Sequence, residues 1–229
     1  MFFLSGRRQL FDVQVVGEQC LSQALAGGQG VLLVGAHLGS MESLRSIGHL
    51  ATERRVSMAM FEQNAARIGR FLRAIDPALE RDIVPLGQSG SMLVLHERLQ
   101  EGGIVGLLAD RSFGNDPGIV VPFLGHPASF PTGGFKMASI LRCPVVTMAG
   151  LYVGGNRYRL HFVPLADFTG TGRGAARRQA IEQAVADYAR QLEAFCHAAP
   201  YNWFNFYDFW AQPDAGADAV ATGGGAEAR

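Results

Sequence analysis

The sequence predicts an α/β fold: a single-domain sandwich in which helices flank a central sheet that is mostly parallel or mixed. Short apolar runs of strand type recur along the 229-residue chain. Most of them are separated by segments of about 10–15 residues with apolar side chains at helical spacing, the alternation typical of parallel strands. Apolar residues make up 48% of the chain, which is enough for one sizeable core.

The predicted strands are short and rich in valine, leucine and isoleucine, as expected for strands buried in a sheet. They cover residues 13–16, 31–34, 56–61, 82–86, 104–109, 145–152 and 158–163. The last two are separated by Gly154, Gly155 and Asn156, residue types that favour the turn of a hairpin. These two strands are therefore predicted to be antiparallel neighbours.

The predicted helices follow from apolar spacing and from their end signals. They cover residues 18–26, 40–51, 64–75, 91–99, 133–141 and 177–197. Ser40 is a plausible N-cap, Pro77 lies just beyond the end of the third helix, and Gly102 follows the fourth. A long loop is expected between the strand at 104–109 and the helix at 133–141.

One domain is predicted over residues 1–210, and we find no internal repeat. From residue 211 to residue 229 the chain consists mainly of alanine, glycine, aspartate and threonine and has no large aromatic or long aliphatic cluster. Such a segment cannot bury enough apolar surface to order itself, so a disordered tail is predicted.

Composition excludes several functional classes. Twenty basic and twenty acidic residues leave no net charge, so non-specific binding to nucleic acid lacks electrostatic support. The single lysine, Lys136, lies outside any phosphate-binding Gly-x-x-x-x-Gly-Lys pattern. The three cysteines are far apart and form no Cys-x-x-Cys pair, so neither a disulfide framework nor a metal site is expected.

The most informative residues are His37 and Glu42. The apolar run at 31–34 ends in Gly-Ala, His37 follows where the strand should open into a loop, and Glu42 comes five residues later. An imidazole with an acidic partner at a strand end can deprotonate a hydroxyl. The other interpretation is a loop histidine and a solvated glutamate, because two common residue types at this spacing also occur by chance.

Three further segments accompany this H-x4-E pattern. Gly106-Leu-Leu-Ala-Asp110-Arg111 delivers an acid to a second strand end, Pro122-Phe-Leu-Gly125 forms a Pro-Phe-x-Gly block, and an aromatic run extends from Pro200 to Trp210. In this order, over most of residues 30–210, the chain resembles the glycerolipid and lysophospholipid acyltransferase superfamily. It is most similar to the branch that contains the late acyltransferases of lipid A biosynthesis.

The resemblance implies a bacterial enzyme that transfers a fatty acyl group from acyl carrier protein or coenzyme A to a hydroxyl, or an amine, of a lipid or glycolipid. Work at the cytoplasmic face of the inner membrane is expected, with no cofactor besides the donor thioester. His37 would be the general base and Glu42 would orient its ring. The alternatives are a thioesterase or other hydrolase, in which His37 activates water, and a non-catalytic module that binds an acyl carrier or a lipid.

The resemblance also implies substrate-binding roles for Asp110, Arg111 and an arginine of the predicted helix at 64–75. Arg67, Arg70 and Arg73 recur there on one face, and the choice between Arg70 and Arg73 stays open. Arg111 departs from the Asp-Gln pattern of this branch. For Asp110 the other interpretation is a structural salt bridge, and for the arginines it is a solvated basic face.

Membrane contact is expected although no apolar stretch reaches the length of about 18 residues that spans a bilayer. The chain opens with Phe2, Phe3 and Leu4 beside Arg7 and Arg8. Relatives in this branch often carry a hydrophobic or amphipathic segment before the corresponding point, so the domain at 1–210 is expected to lack a membrane-proximal segment. The other interpretation is that these side chains pack into the core. We expect the aromatic run at 200–210 to pack back onto the fold, although tryptophan and tyrosine also favour membrane interfaces.

Overall fold

The computed structural model describes residues 10–40, 54–61, 64–66, 69–70, 82–111 and 118–210. Its centre is a seven-stranded sheet in the order β1-β9-β8-β2-β5-β3-β4. The strands are β1 (Asp12–Val16), β2 (Val31–Gly35), β3 (Val56–Phe61), β4 (Ile83–Leu86), β5 (Ile104–Leu108), β8 (Pro144–Tyr152) and β9 (Arg157–Asp167).

The sheet is mixed. β2 pairs in parallel with β5 and β8, and β3 pairs in parallel with β4 and β5. β9 runs antiparallel to β8, as its hairpin turn predicts, and β1 is parallel to β9. The predicted α/β sandwich with a mostly parallel or mixed sheet is therefore confirmed.

Helices cover both faces of the sheet. They are α1 (Glu18–Leu25), α2 (Ser91–Gln100), α3 (Gly133–Leu141) and α4 (Ala175–Ala198). The central strand β2 is buried at all five positions, and its side chains alternate between two cores. Val31 and Leu33 join the smaller core with α1, whereas Leu32 and Val34 join the larger core with α2, α3 and α4. A strand covered on both faces must be apolar throughout, which explains its sequence.

The prediction of a long loop between β5 and α3 is wrong in part, because residues 119–130 form a separate hairpin. Its strands are β6 (Ile119–Phe123) and β7 (His126–Phe130), and Phe123 pairs with His126. The two connecting residues both have positive φ, 51° at Leu124 and 83° at Gly125. Two-residue hairpin turns need this geometry, but they usually place asparagine or aspartate before glycine, so the sequence signal was missing.

The last described segment closes the fold. α4 ends at Ala198 and is followed by a single 3-10 turn, Pro200–Asn202. Trp203 and Phe209 then pack against Phe123 of β6, with ring centroids 5.4 and 5.5 Å from its ring. The aromatic run is therefore partly core, as expected.

Several predicted features lie outside the described residues. They are the helix at 40–51 beyond Ser40, the disordered tail at 211–229 and the apolar opening of the chain. Of the helix predicted at 64–75, residues 64–66 and 69–70 are described, and both stretches are helical.

Candidate active site

His37 and Asp110 meet because their strands are neighbours in register. β2 and β5 are adjacent parallel strands, and Gly35 pairs with Leu108 at their carboxyl ends. His37 and Asp110 each follow this pair by two residues, so both side chains emerge at the same edge of the sheet. Ligand-binding loops of α/β folds lie at this edge. We call it the carboxyl edge, defined by the carboxyl ends of β2, β5 and β8.

Asp110 holds His37 by both carboxylate oxygens. Oδ1 lies 2.8 Å from His37 Nδ1, and Oδ2 accepts a hydrogen bond of 3.0 Å from the His37 backbone N–H. Asp110 is 1% exposed, whereas the imidazole is 30% exposed. A carboxylate can only accept, so it fixes the proton on Nδ1 and leaves the lone pair on Nε2. This is the arrangement that a histidine base requires.

A buried tyrosine supports the strand that carries His37. The hydroxyl of Tyr188, in α4, donates to the carbonyl oxygen of Gly35 over 2.7 Å. Complete burial raises the pKa of Tyr188 well above its ordinary value, so the hydroxyl keeps its proton and remains a donor. Sequence reasoning missed this residue, because a tyrosine on the apolar face of a helix looks like any other core residue.

Gly39 allows the loop after His37 to cross the end of β8. Its φ is 69°, and a Cβ at this position would lie 2.0 Å from the carbonyl oxygen of Gly150. The next residue, Ser40, donates its backbone N–H to that same oxygen over 2.7 Å. Only glycine fits such a close approach at a positive φ.

The segment after α4 holds the His37 loop from the other side. Gly39 N–H donates to the carbonyl of Asn202, and Phe204 N–H donates to the carbonyl of His37, both over 2.8 Å. The side chain of Asn202 in turn accepts from the backbone N–H of Tyr152 and donates to its carbonyl. Residues about 165 positions apart therefore form one rigid wall of the site.

Arg111 joins this segment to the site. One of its terminal nitrogens, Nη2, donates to the carbonyl of Phe204, and its guanidinium lies 5.3 Å from the ring centroid of Tyr207. Its Nε is 4.0 Å from Asp110 Oδ2. A cation on an aromatic face, next to a carboxylate, keeps a defined position.

A cavity of about 310 Å³ opens beside His37. Its walls come from β3, the end of β5 and the first turn of α3, and they are mainly apolar. The polar side chains in its lining are those of His37, Asn64 and Arg111. The volume is at the lower end of the range of about 300–1,000 Å³ for small-molecule sites, and the lining suits an aliphatic chain.

Comparison with known proteins decides the family. The family model of the bacterial lipid A biosynthesis acyltransferases matches residues 5–212, a range that contains His37, Asp110 and every residue that lines the cavity. The chain belongs to this family. The predicted resemblance is therefore confirmed. A search of curated proteins gave no significant match.

Within this family fold, the carboxylate on the histidine ring is Asp110. The sequence assigned the orienting role to Glu42, which lies outside the described residues, and its role stays a prediction. Asp110 was predicted to belong to the site but not to bind His37. The register of β2 and β5 was the missing information, since the two residues are 73 positions apart.

The predicted arginines are only partly described. Arg70 is exposed, and its Nε donates to the carbonyl of Ala66 over 3.3 Å. It does not line the cavity. Arg67 and Arg73 lie outside the described residues, so a role of these arginines in substrate binding stays a prediction.

The buried cysteines of this acyltransferase fold are poor nucleophiles. Burial raises the pKa values of Cys143 and Cys196 to about 12, so both thiols are protonated at neutral pH. Neither residue lines the cavity. In the part of the chain that the structure describes, no helix has the length and apolar character to cross a bilayer.

Proposed function

We propose that the chain transfers a fatty acyl group from a thioester donor to a hydroxyl of a lipid or glycolipid acceptor, with His37 as general base. The contact that carries the proposal is the one between His37 Nδ1 and Asp110 Oδ1, which leaves Nε2 as a base at an apolar cavity. Family membership supports the reaction class.

In the proposed reaction, His37 Nε2 takes the proton of the acceptor hydroxyl as its oxygen attacks the thioester carbonyl. The carbon–oxygen bond forms and the carbonyl oxygen becomes an oxyanion. The oxyanion then collapses, the carbon–sulfur bond breaks, and the leaving thiolate takes the proton from the imidazolium. Asp110 stabilises the imidazolium between the two steps, as a triad carboxylate does.

The other residues of the site have two proposed roles, which are binding of the acyl chain and stabilisation of the oxyanion. The apolar walls of the cavity would hold the acyl chain, and their burial of methylene groups contributes about 0.8 kcal/mol for each one. Arg111 brings a positive charge to the cavity lining beside Asp110, which favours the oxyanion. This route needs no nucleophilic side chain, in agreement with the protonated thiols of Cys143 and Cys196.

The test is acyl transfer by the purified protein to a lipid A precursor with free hydroxyl groups. Thiol release and the mass of the lipid product are followed with the same fatty acid on acyl carrier protein and on coenzyme A. We expect thiol release that depends on the acceptor, and a fall of about 10²–10⁴-fold in rate for His37→Ala. His96→Ala, an exposed histidine of α2, is the matched control and should keep the wild-type rate.

The outcomes separate the alternatives. Thiol release that does not depend on the acceptor, with free fatty acid as product, identifies a thioesterase in which His37 activates water. Binding of the carrier or the lipid without any release identifies a non-catalytic module. Near-normal transfer by a folded His37→Ala protein removes His37 from the mechanism.

A further inference from the structure

A group of exposed aromatic side chains borders the site. We call it the aromatic rim, and it consists of Tyr152, Tyr201, Phe204, Phe206 and Tyr207. Tyr152 ends β8, whose carboxyl end lies at the same edge as that of its parallel neighbour β2. The other four belong to the segment after α4. In it the Asn202 side chain accepts from Tyr152 N–H, the Asn202 carbonyl accepts from Gly39 N–H, and Phe204 N–H donates to the carbonyl of His37. The whole rim therefore lies on the carboxyl edge.

The exposure of the rim differs from that of its neighbours in sequence. Tyr201 is 96% exposed and Phe206 is 88% exposed, whereas Phe209, in the same short segment, is 7% exposed and packs into the core. A soluble surface rarely exposes several large aromatic residues together, and such a group usually marks a contact surface. The expectation that the run packs back onto the fold thus holds for one part of it only.

The rim contacts the lining of the cavity through Arg111. Arg111 lines the cavity, donates to the carbonyl of Phe204 and lies over the ring of Tyr207. Phe204 N–H binds the carbonyl of His37 itself. A surface that meets the rim therefore lies next to Arg111 and His37, which both line the cavity.

The first described residue enters at the same edge. Leu10 is 51% exposed, and its carbonyl accepts from the side chain of Asn156 in the turn between β8 and β9. The sequence before Leu10 contains the apolar and basic group Phe2, Phe3, Leu4, Arg7 and Arg8. The exposed Arg157 follows this turn as the first residue of β9. Aromatic rings with neighbouring cations are the composition that binds an interface with anionic headgroups.

We infer that the aromatic rim is a docking surface for a bilayer with anionic lipids, which places the mouth of the cavity against the lipid surface. The inference rests on the proposed function, because a lipid acceptor has its hydroxyl close to the headgroups and has to reach His37. The contact is peripheral. Tyrosine and phenylalanine rings insert at headgroup depth while the sheet stays in water.

The experiment compares wild type with the double variant Tyr201→Ser/Phe206→Ser by flotation with vesicles of phosphatidylethanolamine and phosphatidylglycerol. Both side chains are almost fully exposed, so their loss does not disturb the core. The matched control is Ile140→Ser. Ile140 is 61% exposed, but it lies near the end of α3, at the edge of the sheet opposite the rim. The side chain of Gln29, just before the amino end of β2, donates to the carbonyls of Leu141 and Arg142 there.

We expect wild type and Ile140→Ser to float with the vesicles and the double variant to bind at least about tenfold more weakly. High salt should weaken wild-type binding in part, because arginines contribute to it. Wild type that does not float, or a double variant that floats like wild type, overturns the inference. Loss of flotation only in Phe2→Ser/Phe3→Ser assigns the contact to the chain before residue 10 and also overturns the inference. Self-association that needs Tyr201 and Phe206, without binding to vesicles, overturns it as well.

Activity measurements keep this test separate from that of the proposed function. The double variant should transfer acyl groups at the wild-type rate to an acceptor dispersed in detergent and more slowly to an acceptor embedded in vesicles. Equal losses in both assays mean that the two residues belong to the reaction site and not to a docking surface. If wild type shows no transfer in detergent, the proposed function fails, while flotation still decides the role of the rim.

Discussion

The orientation of His37 depends on a carboxylate that is distant in sequence. Asp110 Oδ1 is 2.8 Å from the imidazole Nδ1, and Asp110 is buried. A neutral amide in its place keeps the shape but can present an N–H to Nδ1, which favours the tautomer with the proton on Nε2 and removes the base.

We therefore predict that Asp110→Asn lowers kcat for acyl transfer by about 10²–10⁴-fold, with a much smaller change in KM. The measurement is steady-state transfer with the donor and the acceptor each varied. The comparison is Glu42→Gln, which should reduce kcat less than Asp110→Asn if Asp110 is the carboxylate that orients the ring. A larger loss for Glu42→Gln would return the orienting role to Glu42 and leave Asp110 as a structural residue.

At this scale, the sequence predicts the chemistry of single residues but not their partners. His37 stands out because it follows an apolar strand in an H-x4-E pattern that is accompanied, in order, by three further segments of the family. Its contact with Asp110 could not be predicted, since the sequence does not contain the pairing of β2 with β5. The supporting bond from Tyr188 to Gly35 has no sequence signal at all.

Among the elements, the first turn of α3 has the most direct effect on the cavity. Gly133 and Gly134 both line it, and a Cβ on Gly134 would lie 3.0 Å from Leu107 Cδ1. The absence of side chains here leaves room beside β5. A larger residue would project into the space that we assign to the acyl chain.

We predict that Gly134→Val shifts donor preference towards shorter acyl chains. The ratio of kcat/KM values for a long and a short donor should fall by about tenfold or more, because one extra or missing methylene in a fitted apolar pocket changes discrimination by roughly 10–200-fold. The measurement is a series of thioesters of increasing chain length.

The control for this prediction is Gly27→Val, a glycine in an exposed turn whose added Cβ meets nothing within 4 Å. It should keep the wild-type chain-length profile. An unchanged profile in a folded Gly134→Val protein would mean that the acyl chain does not occupy this cavity.

On the scale of the whole molecule, the end of the described chain is part of the core. Phe209 lies 4.9 Å from the ring centroid of Trp203 and 5.5 Å from those of Phe123 and Phe130. The segment thus links the hairpin of β6 and β7 to the loop that carries His37.

We predict that Phe209→Ala lowers the free energy of unfolding by about 3–5 kcal/mol, because it removes a buried ring and leaves a cavity. Urea denaturation followed by tryptophan fluorescence measures the change. Phe206→Ala removes the same side chain from a position that is 88% exposed, and it should stay within about 0.5 kcal/mol of wild type. Equal stability of wild type and Phe209→Ala would show that the segment only rests on the surface.

The sequence by itself determined the fold class, the order of the strands and helices apart from the hairpin of β6 and β7, and the family, and it singled out His37 as the residue proposed to be the base. These features come from local patterns, which are apolar runs of strand length, helical spacing, turn residues and short motifs. Such patterns reflect interactions between residues that are close in sequence, so they can be recognised without the tertiary structure. Local patterns also gave the predicted position of Glu42 at a helix N-terminus and the spacing of the arginines in the segment at 64–75.

Only the tertiary structure decided which residues meet. The register of β2 and β5 brought Asp110 to His37, the fold of α4 brought Tyr188 under Gly35, and the return of the chain after Ala198 brought Phe204 to the His37 carbonyl. It also divided the aromatic run into buried and exposed members. Such contacts depend on packing energies shared by many distant residues, so no local pattern in the chain encodes them.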